Sequence, residues 1–524
     1  MKKLLLLLLS FSVFTLNAQR YLTEQFPTVS KTTAVYTNNY TVLYAAGGHT
    51  IKEGYNADIY QPTADTVSKR PLMIYLITGN FLPRVIPGLR TSASGSRADS
   101  AAIEISTRMA KLGYVTAVID YRLGWNPVAT TQEVRTNTLI NASYRGIQDA
   151  RTAVRFFKAN AAAYKIDTSK VMVWGQGTGG YIALGMASLD KYSEILTTKM
   201  PAGKFFGSNG APMVIERLAP PNEAIFVNAD IEGKILGKVP PGVVGPPPGG
   251  DTLNLPNYAA NSSDIQFCVN MGGALGDISW IDSKTVPIVS IQCVHDPYAP
   301  YESAVLTVPI SPTVALPVVE VQGSKFVQTY IDDSTTINKA FLKLKDANNP
   351  YKSIFTARNG GRYLTGLYPL LGDTVTDSSP YEFFNANDTL SKYAAITNPR
   401  ISAAKARKYI DSMLVFVLPR ACIALQLPCA SLVSSTEDLL KENTTKLSIS
   451  PNPSASFMTF ESEVYNPIQA IELFDLSGRS VRVVRNINSS QYQLDRGSLT
   501  SGMYIAKVKF EGGILSKKIV FEKQ

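Results

Sequence analysis

Val171-Met172-Val173-Trp174-Gly175-Gln176-Gly177-Thr178-Gly179-Gly180 joins a strand pattern to a glycine-rich turn. A β-branched and aromatic run meets a turn in which Gly175, Gly177, Gly179 and Gly180 fall within six positions. The apolar run, taken from Lys170, predicts a buried strand. The small-residue segment 179–189 predicts a helix laid close upon it. Glycine at the junction points to a chain reversal that needs positive φ or close backbone approach.

The same rhythm extends on both sides. Continuous apolar strands are predicted over 71–77, 113–122, 265–269 and 287–292, with helices over 100–111 and 142–161. Buried runs joined by helices imply a parallel sheet with right-handed crossovers. Ahead of them, 41–44 and 57–60 predict an antiparallel hairpin turning at Gly47-Gly48. Across 192–264 the rhythm breaks. The Pro/Gly run 240–250 continues neither helix nor central strand, so this region is an insertion, either a lid or a decorated loop. A further amphipathic helix is expected over 403–418.

The 524 residues suggest two to four units at ~150 residues each. Hydrophobic residues make up 45% and charged residues 18%, which excludes global disorder. Net charge is +10 without a Lys/Arg-rich run, so no nucleic-acid partner is expected. Only two histidines occur, His49 and His295, which starves His-based zinc sites and hydrolase triads. Four cysteines without a C-x-x-C exclude zinc ribbons and thioredoxin-like motifs. Cys422 and Cys429 are close enough to bridge, while Cys268 and Cys293 read either as a cross-strand disulfide or as two buried thiols. No phosphate loop, dinucleotide fingerprint or calcium loop is present, so no cofactor or metal is expected.

Residues 1–18 read as a signal peptide: Lys2-Lys3, the apolar run 4–16, then Asn17-Ala18 before Gln19. The expected organisation is a body over 19–432, a Ser/Thr/Glu/Lys linker over 433–446, and a terminal unit over 447–524. In that last unit the apolar period becomes two, as in 447–449, 470–474 and 503–508, which predicts a small all-β sandwich.

Ser450-Pro451-Asn452-Pro453, Phe474-Asp475-Leu476-Ser477-Gly478-Arg479, Leu499-Thr500-Ser501-Gly502-Met503-Tyr504 and Lys517-Lys518-Ile519-Val520 follow in order. Here the terminal unit resembles the C-terminal sorting domain of type IX secretion cargo. The resemblance implies the type IX machinery as partner and passage across both membranes. It further implies removal of the domain and a cargo that is secreted or attached to surface lipopolysaccharide.

In the body, three phrases carry a second resemblance. They are Gly113 through Gly124 (GYVTAVIDYRLG), Tyr144 through Arg155 (YRGIQDARTAVR), and Gly272-Gly273-Ala274-Leu275-Gly276-Asp277. With Asp296-Pro297-Tyr298-Ala299-Pro300-Tyr301 they resemble secreted carboxylesterase-like proteins of the α/β-hydrolase fold. That family places a serine in G-x-S-x-G at a strained strand-to-helix turn, and its acid and histidine follow in the chain. Gly175 and Gly179 match the elbow glycines, but the nucleophile position holds Gly177. Thr178 falls where the family uses the backbone N–H as an oxyanion donor. In the family's His-Gly-Gly-Gly oxyanion segment only Gly79 of Ile77-Thr78-Gly79-Asn80-Phe81 matches. Missing glycines at Thr78 and Asn80 argue against a formed oxyanion hole. Asp296 matches the acid, yet no histidine follows His295, so Asp296 is expected to structure its loop.

Loss of nucleophile and base together removes the means of making and breaking an acyl-enzyme. The expectation is therefore an exported, catalytically dead hydrolase relative acting in binding or structure, with a glycan or ester-bearing polymer as the ligand class the family suggests. The alternative is an active esterase with an atypical constellation. One version of it is a carboxylate-only hydrolase built from Asp120, Asp277 and Asp296.

Overall fold

The predicted apolar runs form adjacent strands that are buried over nearly all of their length. In a computed structural model of the chain, the residues described are 20–43, 49–82, 95–239, 252–311, 314–372, 378–383, 402–434, 447–462, 467–475, 479–510 and 513–523. The signal-peptide segment, the Gly47-Gly48 turn, the Pro/Gly run 240–250 and most of the linker lie outside them. Contacts divide the chain into two units, Met1–Ser434 and Ser435–Gln524.

The first unit is built on one eight-stranded sheet. Its strands are β1 (Val29–Leu43), β2 (His49–Pro62), β3 (Arg70–Leu76), β4 (Val115–Ile119), β5 (Ile166–Gln176), β6 (Phe267–Met271) and β7 (Ile288–Cys293). A further ribbon, β8 (Ser303–Ser311) and β9 (Val314–Gln322), stands apart, and β10 (Leu367–Leu370) completes the sheet. The sheet order is β1-β2-β4-β3-β5-β6-β7-β10. The β1–β2 hairpin and the β2–β4 pair are antiparallel, and every other pair is parallel. All residues of β3, β4, β6, β7 and β10 are buried, as expected for strands covered on both faces. The connecting helices are α1 (Ser100–Lys111), α2 (Gln132–Ala159), α3 (Thr178–Ser188), α4 (Ser324–Ser334) and α5 (Ala403–Ala424).

Helix α1 spans the expected residues, but α2 begins ten residues earlier than its apolar pattern. The Thr131 side chain accepts the Val134 N–H at its start. The polar face of its first turns is buried by hydrogen bonds instead of apolar contact: Asn141 donates to the Met213 carbonyl and accepts from Asn228. Helix α5 runs past Pro419, whose missing N–H leaves the carbonyl of Val415 unpaired within the helix. Val415 is on an exposed part of the surface. Cys422, in its last turn, is disulfide-bonded to Cys429 with Cα atoms 5.6 Å apart. The cross-strand alternative for the other two cysteines is corrected. Register pairs Cys268 with Ile288, which places Cys293 five residues, roughly 16 Å, further along β7. Both are buried thiols.

The polar core is organised by Arg122, just past β4. Its Nε donates to both Asp149 oxygens at 2.8 and 2.9 Å, and its backbone N–H reaches Asp149 Oδ2 at 2.7 Å. The rest of the guanidinium bonds Gln148, Asn254 and the Leu253 carbonyl. Neither side chain of the pair is exposed at all. The described parts of the insertion are thus tied to α2 by buried hydrogen bonds, including Gln148 to the carbonyls of Asn228 and Asp230. This anchoring favours a fixed layer over a swinging lid.

The second unit has its own core, with Met458, Phe460, Ile471, Leu473, Ala506, Val508 and Ile519 among its members. One sheet joins β11 (Leu447–Ser450), β12 (Phe457–Ser462) and β15 (Gln491–Asp495). The other has the order β14 (Ser480–Val484), β13 (Ala470–Phe474), β16 (Gly502–Phe510), β17 (Gly513–Phe521). This is the expected all-β sandwich.

Asp149→Ala should remove about 3–5 kcal/mol of stability in urea unfolding, because it strands the buried Arg122 guanidinium. A loss under about 1 kcal/mol would contradict the role given to this pair.

Candidate functional site

The carboxyl ends of β3, β5, β6 and β7 converge on the β5–α3 turn. Gly177 forms its tip with φ 54 and ψ −119. Its N–H donates to the Met271 carbonyl and its own carbonyl accepts from Gly180, both at 2.8 Å. The flanking glycines are there for space. A Cβ on Gly175 would lie 2.0 Å from the Gly179 oxygen, and one on Gly179 2.2 Å from the Leu76 oxygen. The elbow therefore exists as a backbone structure.

The position of its nucleophile is filled from elsewhere. A Cβ on Gly177 would stand 2.3 Å from Thr78 Oγ1 and 3.0 Å from Thr78 Cβ. Thr78 follows β3, so the strand neighbouring β5 in the sheet delivers a hydroxyl into the serine's place.

Thr178 opens α3, and the first N–H groups of a helix have no intrahelical acceptor. Its Oγ1 lies 2.9 Å from Tyr121 Oη, which itself donates to the Ile77 carbonyl at 2.7 Å. Tyr121 has one proton, so the Thr178 hydroxyl is the donor of the pair, and that proton is committed. Gly79 begins the turn after β3, its carbonyl accepting from the Leu82 N–H. Asn80 and Phe81 take φ of 52 and 53. Absence of glycine thus does not prevent the left-handed turn. The buried Phe81 ring packs edge-on against Tyr121, and its carbonyl accepts from Gly124 and Trp125 at 2.8 and 2.9 Å. These contacts outweigh a cost of about 1–3 kcal/mol per strained residue.

Asp296 lies just beyond β7. Its Oδ1 accepts the N–H groups of Tyr298 and Ala299 at 2.8 and 3.1 Å, a loop-structuring geometry. Burial pushes its carboxyl up to about 7, against the lowering effect of those two bonds. Oδ2 faces Gly272, where the Tyr381 hydroxyl also points. The adjacent His295 is exposed, and His49 belongs to β2, three strand intervals from β5.

The segment after β10 places Tyr381 and Glu382, both buried, at the same end of the sheet. Glu382 Oε1 accepts the Ala101 N–H at the start of α1, and Oε2 accepts from Gln176 Nε2 at 2.7 Å. Gln176 Oε1 in turn accepts the Tyr75 hydroxyl at 2.6 Å. Burial, with the charge of Asp99 added, holds the Glu382 carboxyl well above the usual range. Sequence reasoning named Thr78 only as a missing glycine, not as the neighbour of Gly177, and missed Tyr381 and Glu382. Gln176 carried the one available signal, a polar residue at the end of a buried strand.

The other two carboxylates of the alternative reading are engaged elsewhere. Asp120 accepts from Arg97 Nε at 3.0 Å, and Arg97 also pairs with Asp58. Burial would raise Asp277, but bonds from Ser279, Met200 and Lys199 hold it below its usual value. Lys204 is 3.1 Å from it. Asp120 and Asp296 follow strands four intervals apart, roughly 19 Å in an open sheet.

The first unit has the α/β-hydrolase fold, with its mostly parallel sheet and helices on both faces, and the second is the small β-sandwich that follows it. Residues 57–214 match the BD-FAE family model, an esterase-like member of that fold, and residues 448–522 match the secretion system C-terminal sorting domain. The sorting-domain match marks the chain for export across the outer membrane by the type IX machinery. Among solved structures, Thermogutta terrifontis esterase 2 phosphorylated by paraoxon is similar at 12% identity and TM-score 0.30, covering 75% of this chain and 95% of that one. The brefeldin A esterase, a bacterial homologue of human hormone sensitive lipase, shares 16% at TM-score 0.21, over 32% and 36%. A hyperthermophilic esterase from the archeon Pyrobaculum calidifontis shares 20% at TM-score 0.20, over 33% and 42%. No curated protein matches.

Since folding raises the Asp296 pKa, its contribution to stability is present at acidic pH and is lost as pH rises from about 4 to about 7. Asp296→Asn keeps the acceptor for both N–H groups. Its stability relative to wild type should therefore improve between pH 5 and pH 8, as read by thermal unfolding at each pH. A constant difference would contradict the burial of this carboxyl.

Proposed function

We propose that the protein is an exported, hydrolytically silent member of the esterase-like fold that acts in binding or structure at or beyond the cell surface. The observation that carries this reading is the contact at the elbow: Thr78 Oγ1 lies 2.3 Å from the place a nucleophile's Cβ needs. The histidine count supports it, since no histidine follows His295 in the chain to act as the family-placed base. The Glu382–Gln176 link and the buried Tyr381 fill space beside the elbow with bonded side chains. The cavity abutting α3 at Tyr181, one turn from Gly177, is about 40 Å³ and lined by apolar groups such as Ile140, Phe205, Trp280 and Val319. Among the described residues this cavity is too small for a long acyl chain, which favours recognition on the outer surface. A glycan or ester-bearing polymer remains the ligand class proposed, with attachment to surface lipopolysaccharide as the anchoring route. Residues 1–18 are the proposed inner-membrane export signal.

Purified protein should hydrolyse p-nitrophenyl acetate and butyrate no faster than a denatured control. Gly177→Ser should not restore turnover, since the new side chain meets Thr78 and finds no base. Gly177→Ser with Thr78→Gly relieves the contact and should still fail for want of the base. Turnover that is abolished by Asp296→Ala would overturn this reading in favour of carboxylate-based hydrolysis.

A further inference from the structure

The solvent face of the four-stranded sheet in the second unit forms a groove of about 470 Å³. Its floor follows from strand alternation. Ile471, Leu473, Val508 and Leu515 point into the sandwich core. Their neighbours Glu472 on β13, Lys507 and Lys509 on β16 and Ile514 on β17 line the groove. Register places Lys507 opposite Glu472 and Lys509 opposite Ala470. One wall is the segment after β14, carrying Arg485, Asn486 and Asn488. The two asparagines adopt φ of 58 and 48, and Ile487 between them donates to the Gln469 carbonyl at 3.0 Å. Asparagine is among the side chains that best tolerate this conformation.

Charge is concentrated here. Over residues 447–524, nine Lys/Arg stand against seven Asp/Glu. Three of those cations line the groove, against the single carboxylate of Glu472, which accepts from Ser480. The groove therefore carries the unit's whole positive surplus. Lys507 Nζ lies 5.0 Å from the Phe474 ring centroid, which directs its stem along the sheet.

We propose that this groove is the docking face of the sorting unit, and that its occupant is an acidic peptide segment of the secretion machinery. Complementary charge argues for carboxylates on the partner. The neutral amides of Gln469, Asn486 and Asn488 suit a peptide backbone, and Val483 and Ile514 suit its apolar side chains. Glu472 in the floor disfavours a dense polyphosphate such as a lipid headgroup array, yet it accepts a peptide N–H. The proposal rests on the sorting role of this unit and is independent of hydrolytic silence in the other.

The test compares full-length Lys507→Glu/Lys509→Glu with Lys339→Glu/Lys523→Glu, which makes the same charge change at exposed positions outside the groove and outside the sorting motifs. Export to the medium is measured alongside binding of a labelled hexaglutamate peptide and of lipopolysaccharide vesicles to the purified chains. The groove variant should lose about ten-fold in export and in peptide binding, with the control within about two-fold. Lys507→Gln/Lys509→Gln, a milder change, should lose part of both while keeping the wild-type melting temperature. Wild-type export by the groove variants, equal loss in the control, or loss of vesicle binding with peptide binding intact would each overturn the proposal.

Discussion

A Cβ on Gly177 would stand 2.3 Å from Thr78 Oγ1 and 3.0 Å from Thr78 Cβ, so any side chain at the elbow tip requires Thr78 to move. The β5–α3 elbow keeps its backbone because Gly175 and Gly179 are still needed for close approach to Gly179 and Leu76. With no side chain at the tip, the neighbouring β3 end can move a threonine into the space. A glycine at the tip and a threonine in the space beside it are one packing solution. A serine placed at Gly177 alone would set its side chain against Thr78.

The neighbouring polar groups follow the same logic. A buried polar side chain is costly unless bonded. The segment after β10 supplies Glu382, satisfied by Gln176 and the start of α1. Asp296 is satisfied by its own loop. Glu382, Asp296 and Thr178 are thus each held in a structural bond at the carboxyl edge of the sheet. The Arg122–Asp149 pair does the same one layer further in, joining β4, α2 and the insertion.

The fold was legible where burial is continuous. The strands around Val173 and Ile74 and the helix Ser100–Lys111 need only apolar periodicity, and the elbow announces itself by its glycines. Legibility failed where partners distant in sequence decide. The first turns of α2 are polar and are buried by Asn228 and Met213, which no local pattern reveals. The β8–β9 ribbon contains Pro309 and Pro317, residues that argue against a central strand but are tolerated in a two-stranded edge. At the site, the missing serine and histidine were plain in the sequence. Thr78 and Glu382 were not, because their roles come from the β3–β5 register and from a loop some 200 residues away from Gln176. No local pattern announces the left-handed turn at Asn80 and Phe81, since a buried ring and two accepted hydrogen bonds hold what glycine would allow freely.

Intact-protein mass spectrometry after incubation with a fluorophosphonate probe reads whether the elbow presents an activated nucleophile. These reagents capture an activated hydroxyl whatever the natural substrate, so the result does not depend on guessing one. An unchanged mass is expected at an excess of probe that fully labels a serine esterase run in parallel. A single phosphonyl adduct mapped to Thr78 or Thr178, and lost on denaturation before labelling, would contradict it.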